Sequence, residues 1–390
     1  MDSFRYYQPT EILFGLRQIE KIAGLALRSG KRCLLVTTPA VPDLDPMFKK
    51  VKKILGAGGL DVAHFDGIHP NPTTDEISEG ARLAVDHRAE VVIGLGGGSA
   101  MDGAKAIAVE AVHEGTAWDY LFYRETQPTE KTLPVIAVST TSGTGSQVTQ
   151  VAVLTHTANR DKSAIYNSAV FPRACIVDPE LMVTVPKHVT AATGFDVFCH
   201  AFESMLHPQS SPYTRMMALS AIQLVVTHLP AVLENLSDPE SRTELALADT
   251  YAGLCIANAG VTLPHGMGMA ISGMYPHVAH GESLAAVYPA FTRFTWPSAP
   301  KPFAAVGRIL DPGLRTVSDE QAAERSCPLI DAFLDRIGLT KTLKACSVPE
   351  EEIEDLAVQS MVLPDYKANP KVASGEEMLA LIKDSFTGKR

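Results

Sequence analysis

The chain is poor in features that would tie it to export, to membranes or to nucleic acid. Its six cysteines (Cys33, Cys175, Cys199, Cys255, Cys327, Cys346) are scattered over 390 residues, with no Cys-x-x-Cys pair among them. Scattered thiols predict no disulfide framework and fit a reducing compartment. The opening Met1-Asp-Ser-Phe-Arg-Tyr-Tyr has neither the basic nor the apolar region of a signal peptide, so a cytoplasmic location is expected. Basic charge is also short: 34 Lys and Arg stand against 44 Asp and Glu, a net charge of −10. That balance argues against nucleic acid or an anionic membrane surface as a partner, since either calls for a basic face. No apolar run is expected to reach the length that spans a bilayer. A Gly-x-x-x-x-Gly-Lys-Ser/Thr loop is missing, which sets aside a phosphotransferase built on one. Internal repeats, low-complexity tracts and long linkers are lacking too.

What is present is ordinary for a compact protein, with 46% hydrophobic and 20% charged residues, and the length suffices for two domains. Short apolar runs at 31–38, 60–65, 89–95 and 133–138 read as buried strands. Helical patterns over 46–55, about 73–87 and 100–112 separate them. Strands alternating with helices of this size predict βαβ units and a parallel sheet covered on both faces. Residues 151–177 look like added strands. Beyond Pro186 the pattern turns helical, near 188–206, 212–235, 240–258, 281–295, 318–337 and 350–360. The expectation is an α/β domain over 1–185 followed by an all-α domain over 186–390.

Two loops and one helix carry the chemistry. Gly96-Gly-Gly-Ser99 follows a strand and opens a helix, where main-chain N–H groups can meet a phosphate. It does not satisfy Gly-x-Gly-x-x-Gly, because Ser99 or Met101 falls on the last position. Asp102 and Lys105 lie on the first turns of that helix. Ser139-Thr-Thr-Ser-Gly-Thr-Gly-Ser146 follows the next strand, and its hydroxyls suit a diphosphate or a ribose. Lys162 is a further candidate anion contact. In the helical half, Asp196 and His200 stand four residues apart, so their side chains share one helix face. They form half of a divalent-metal site, and His265, His277 and His280 are available to complete it. Cys199, beside His200, is expected to be a buried inert thiol.

As a set, these motifs resemble the iron-containing (group III) alcohol dehydrogenases over nearly the whole chain. Pro9-Thr-Glu-Ile-Leu-Phe-Gly15 is similar to the family's opening strand, and His69-Pro-Asn-Pro-Thr73, Gly96-Gly-Gly-Ser-x-x-Asp102-x-x-Lys105 and Thr140–Ser146 to its cofactor segments. Ala192-Thr-Gly-Phe-Asp196-x-x-x-His200-Ala-x-Glu203, His265-Gly and His280-Gly resemble its metal-binding segments. The resemblance implies a Rossmann-like parallel-sheet domain followed by a helical domain, the architecture shared with dehydroquinate synthases. It places Asn71, Gly97, Gly98, Ser99, Asp102, Thr140, Thr141, Thr149, Lys162 and Leu181 on cofactor-contact positions. Asp196, His200, His265 and His280 fall on the metal-ligand positions, for Fe(II) or Zn(II). A Lewis-acidic cation there would lower the pKa of an alcohol and favour hydride transfer to NAD or NADP.

Three departures stand out. Met269 occupies the place of a second histidine linked to the substrate pocket and proton transfer, which makes that wall apolar. The interval from His265 to His280 is one residue longer than the family pattern. His277 therefore competes as a ligand, or, with His280 as the ligand, serves as a catalytic proton relay. Thr38 ends the strand where NAD-preferring relatives place an aspartate, so NAD and NADP both stay open. Other readings are a maleylacetate reductase or hydroxy-acid dehydrogenase of the same fold and, from another class, a non-catalytic nucleotide-binding protein. The implied partner is a small alcohol or aldehyde, and the implied assembly a homodimer.

Overall fold

The structure is a computed structural model, and it describes residues 3–388. The first half reads β1 (Glu11–Phe14), α1 (Ile22–Leu27), β2 (Arg32–Val36), α2 (Asp45–Ala57), β3 (Asp61–Phe65), α3 (Thr74–Asp86), β4 (Val91–Gly96), α4 (Gly98–Glu110) and β5 (Val135–Ser139). It continues with β6 (Val151–His156), β7 (Asp161–Tyr166) and β8 (Ala174–Val177). Six strands form one parallel sheet in the order β1-β8-β5-β4-β2-β3. The added-strand region divides: β6 and β7 make a separate antiparallel hairpin, and β8 enters the main sheet.

Strand alternation sorts the core. Cys33 and Leu35 of β2 pack with Ile93 of β4 and with Phe48, Val51 and Leu55 of α2. Leu34 and Val36, pointing the other way, pack with Ile77 of α3 and Ala104 and Ile107 of α4. Helix α3 starts as its sequence suggests, with Thr73 and Glu76 closing a reciprocal capping box. The chain crosses back over β2 between β3 and β4, so strand order reverses there. Ligands of open α/β sheets bind outside the carboxyl ends of strands near such a reversal.

The second half is helical: α5 (Lys187–Leu206), α6 (Pro212–Glu234), α7 (Pro239–Asn258), α8 (Leu263–Met274), α9 (His280–Thr295), α10 (Pro300–Leu310), α11 (Asp319–Arg336), α12 (Ile353–Gln359) and α13 (Gly375–Thr387). Helices α8, α10 and α13 go beyond the sequence expectation. Two compact units emerge, changing between Val185 and Pro186. The division of 1–185 from 186–390 needs two corrections. Residues 236–246 belong with the sheet unit, where the Arg242 guanidinium donates to the carbonyls of Leu236 and Val185. Residues 3–6 belong with the helical unit, where Tyr6 meets Tyr213 edge to face with ring centroids 4.7 Å apart.

The expectation about apolar runs is also corrected. Helix α6 is long and apolar enough by length and composition to cross a bilayer, with half of that stretch buried inside the protein. The run reads this way because it packs against α5 and α10 and carries only Arg215 and Glu234 as charged residues.

Candidate functional site

In the helical unit, α5 presents Asp196, His200 and Glu203 at four- and three-residue steps, all on one face and all buried. The imidazole Nε2 atoms of His200, His265 and His280 lie 3.6, 3.5 and 3.9 Å from one oxygen, Oδ1 of Asp196. The ring of His265 stacks on that of His200 with centroids 4.6 Å apart, and meets that of His280 at 5.4 Å. Asp196, His265 and His280 each offer a ligand atom within 4.8 Å of the others. Donors held about 2.0–2.1 Å from a tetrahedral ion are separated by about 3.3 Å. The observed spacings are therefore close to those of a shell around one ion.

Satisfaction of polar atoms gives an independent test of fit. Asp196 Oδ1 and His265 Nε2 are buried, and neither makes a hydrogen bond. An enclosed carboxylate oxygen and an enclosed imidazole nitrogen facing each other without hydrogen bonds are costly unless a cation joins them. Burial by itself would raise the Asp196 carboxyl, but the three imidazoles outweigh it and hold the group down to about 2. Burial likewise works against a charged His265, yet Glu203 and Asp196 push its pKa up to about 10. Asp196 and Glu203 thus concentrate negative potential on one point, which favours positive charge there, whether protons on the imidazoles or a metal ion in their place. The residues fit a divalent metal.

Other residues aim the ligands. Glu203 is fully buried and accepts from His265 Nδ1 at 2.8 Å, which turns Nε2 toward Asp196, and from the Thr262 amide at 2.9 Å. Gly281 lets the first turn of α9 lie against α5, because a Cβ there would sit 2.2 Å from the Ala192 carbonyl oxygen. That approach brings in His280, the first residue of α9. Asp365, beside Gly266 of α8, is a further acid near His265, and burial raises its carboxyl to about 6 against the opposing charge of His265. The histidines at 277 and 280 separate clearly. His277 is exposed and its Nε2 pairs with the Cys346 carbonyl at 3.0 Å, whereas the cluster about Asp196 includes His280.

Phe195 and Phe198 stack on one another and meet Tyr288 and Phe333 in the core. Met269 is nearly buried one turn after His265, and Cys199 is fully buried with its thiol pushed well up by burial.

In the sheet unit, Gly97 caps α4 and Gly98 opens it. A Cβ on Gly98 would lie 2.5 Å from Thr144 Cγ2, and one on Gly97 3.2 Å from Thr141 Oγ1. Both glycines thus admit the hydroxyl loop as well as any phosphate. The Thr140 amide donates to the Gly96 carbonyl at 2.9 Å, tying the ends of β4 and β5 together. Asn71 is left-handed, with φ 60°, and accepts from Lys162 Nζ at 2.8 Å. Ser99 is half-buried in the first turn of α4. Asp102 has both oxygens engaged inside the chain, one by Ser146 Oγ at 2.6 Å and the other by the Val153 amide at 3.1 Å. Thr149 faces Lys105, and Leu181 lies in the core beneath the sheet, which leaves its side chain an apolar packing role.

A parallel sheet with a glycine-opened helix is joined in one chain to a helical unit with a carboxylate ringed by imidazoles, and the family models that match both halves place this arrangement among the metal-dependent oxidoreductases. Residues 9–179 match the family model of the iron-containing alcohol dehydrogenases, and residues 190–386 match the C-terminal model of the same family. The long-chain-alcohol dehydrogenase 1 of Geobacillus thermodenitrificans is 34% identical over 384 residues, covering 96% of this chain and 94% of the relative. The NAD-dependent methanol dehydrogenase of Bacillus methanolicus is 29% identical, covering 98% and 99%. A crystal structure of the archaeal halo-thermophilic Red Sea brine pool alcohol dehydrogenase superposes with a TM-score of 0.94 at 33% identity, covering 98% and 99%. The chain belongs to the iron-containing alcohol dehydrogenase family, and it is an enzyme, an alcohol oxidoreductase.

Proposed function

We propose that the protein moves a hydride between the carbinol carbon of a small alcohol and the nicotinamide ring of NAD or NADP. Asp196, His200, His265 and His280 hold one divalent cation, Fe(II) or Zn(II). When bound, that cation supplies Lewis-acid polarisation of the alcohol or aldehyde oxygen. Among the chain's own groups, Glu203 fixes the tautomer and angle of His265 through Nδ1, and Gly281 sets the position of His280. Met269 turns an apolar side chain to the substrate, which suits an alcohol with a hydrocarbon chain and leaves proton transfer to other groups. Exposed His277 is the candidate proton carrier between the site and solvent.

On the sheet unit, Gly97, Gly98, Ser99, Thr140 and Thr141 receive the dinucleotide's phosphates and ribose, with Asn71 and Lys162 at the hairpin side. Asp102, Thr149 and Leu181 act from behind, by holding the loops that make the contacts. The reading extends to a cytoplasmic homodimer. Its support is the convergence of three imidazole nitrogens on a single buried carboxylate oxygen that accepts no hydrogen bond. The test is a screen of reduced-nicotinamide absorbance with NAD and NADP against short alcohols, diols, hydroxy acids and aldehydes. Fe(II), Zn(II) or a chelator is added in parallel. Turnover of alcohols that a chelator abolishes and metal restores is the expected result. Turnover indifferent to chelator, or confined to hydroxy acids, would overturn the reading.

A further inference from the structure

Lys105 has been given no role so far, yet its side chain is completely enclosed and bonded to Thr149. Its Nζ reaches five oxygens of one segment: the carbonyls of Ser146 (2.7 Å), Thr149 (3.0 Å) and Val151 (2.7 Å), and the hydroxyls of Ser146 (2.9 Å) and Thr149 (3.4 Å). An ammonium has only three protons to donate, so some of these contacts are shared. Converging main-chain carbonyls and hydroxyls are the donor set that hard cations favour, and that potassium filters use. Without a positive charge at their centre, the carbonyls would be buried acceptors crowded together.

The counter-charge is built in as well. Ser146 Oγ accepts from Lys105 and donates to Asp102 Oδ1, which itself stands 4.0 Å from Nζ. Burial lowers the Lys105 pKa to about 8 against the pull of Asp102, so the ammonium form prevails at neutral pH. The segment held in this way is the one whose Thr144 packs against Gly98 at the start of α4.

We propose that Lys105 is a positioning residue whose ammonium serves as a built-in monovalent cation. It curls residues 140–151 into the shape that receives the dinucleotide, in a cage that can itself hold a potassium or ammonium ion. This rests on the reading that these loops bind the dinucleotide. The loop is set before the cofactor arrives, so Lys105 acts on dinucleotide affinity and leaves the hydride step alone.

The experiment compares the full-length, metal-loaded wild type with Lys105→Ala in tetramethylammonium, potassium and ammonium chlorides at equal ionic strength. NADH binding is read by fluorescence, alongside KM, kcat and Tm. In tetramethylammonium the variant should bind NADH roughly ten- to a hundredfold more weakly, the scale of a displaced positioning group. Potassium or ammonium ion should restore most of that affinity and raise Tm. KM for the dinucleotide should follow, kcat at saturating cofactor should stay near wild type, and wild type should be indifferent to the salt. Unchanged binding in tetramethylammonium, or a loss that neither small cation repairs, would overturn the proposal. Should the alanine variant fail to fold in every salt, Lys105→Met decides. Weakened, salt-indifferent NADH binding is expected of it, and wild-type binding would overturn the proposal. If the wild type bound NADPH alone, the same comparison is made with NADPH. If it bound neither NADH nor NADPH, the dinucleotide reading would fall. The cage would then be judged on Tm alone, supported by a rise of the alanine variant in potassium or ammonium and refuted by none.

Discussion

The loops of the sheet unit and the histidine cluster of the helical unit are both polar and both buried, but only one is complete. Around Lys105, the charge of the ammonium is met by five oxygens, and Asp102 has a partner for each of its own. Around Asp196, Oδ1 and the facing His265 Nε2 have none. A network that closes on itself holds a shape, whereas one that leaves a carboxylate oxygen and an imidazole nitrogen facing each other calls for something from outside. The same residue types, placed with and without internal partners, thus separate the scaffold of a binding loop from a ligand shell.

The sharpest way to break this contrast is to remove the carboxylate at its centre. Asp196→Ala is expected to lose bound metal and about a thousandfold or more in kcat/KM, because Lewis-acid stabilisation is worth several kcal/mol. Metal analysis and steady-state kinetics check both, and a variant that kept its metal would erase the distinction between the two regions. Glu203→Gln keeps the shape of the group that orients His265 but removes its charge. It should weaken metal affinity about ten- to a hundredfold, read by competition with a chelator.

A third test concerns pH. Lys105 titrates at about 8 in the fold against 10.5 in an unfolded chain, with burial opposing the charge and Asp102 and Cys175 favouring it. Between those values the unfolded chain holds the proton more tightly, so this group's contribution to stability rises as pH climbs from about 8 to 10.5. Dinucleotide affinity, which uses the charged form, should fall as pH passes 8. Chemical denaturation and NADH titration across that range should therefore move in opposite directions. The smallest effect is expected from Gly281→Ala. Its Cβ would press on the Ala192 carbonyl, cost about 1–3 kcal/mol of stability by denaturant unfolding, and displace His280.

The same contrast explains what could be read from sequence. Gly96–Ser99 and the Asp196/His200 pair are legible because their spacing is local: a strand–helix turn in one case, one helical turn in the other. Glu203 is legible in hindsight, one turn beyond His200 on the same face, though its task depends on His265, 62 residues away. Lys105 gives no such sign, since its partners lie 41 to 46 residues on and most are main-chain carbonyls that carry no residue identity. Helix α8 was hidden because Pro264, Gly266, Gly268 and Gly273 mask a helical pattern that tertiary packing enforces. The glycine that follows His280 favours it over His277 in the sequence, and the fold adds a physical reason: Gly281 lets His280 approach Asp196, while His277 is exposed and pairs with the Cys346 carbonyl.

Anomalous diffraction from crystals grown with Fe(II) or Zn(II) tests the shared ion most directly. One peak bonded to Asp196, His200, His265 and His280 together is the predicted result. A peak on His277, or none beside Asp196 in fully loaded protein, would contradict it.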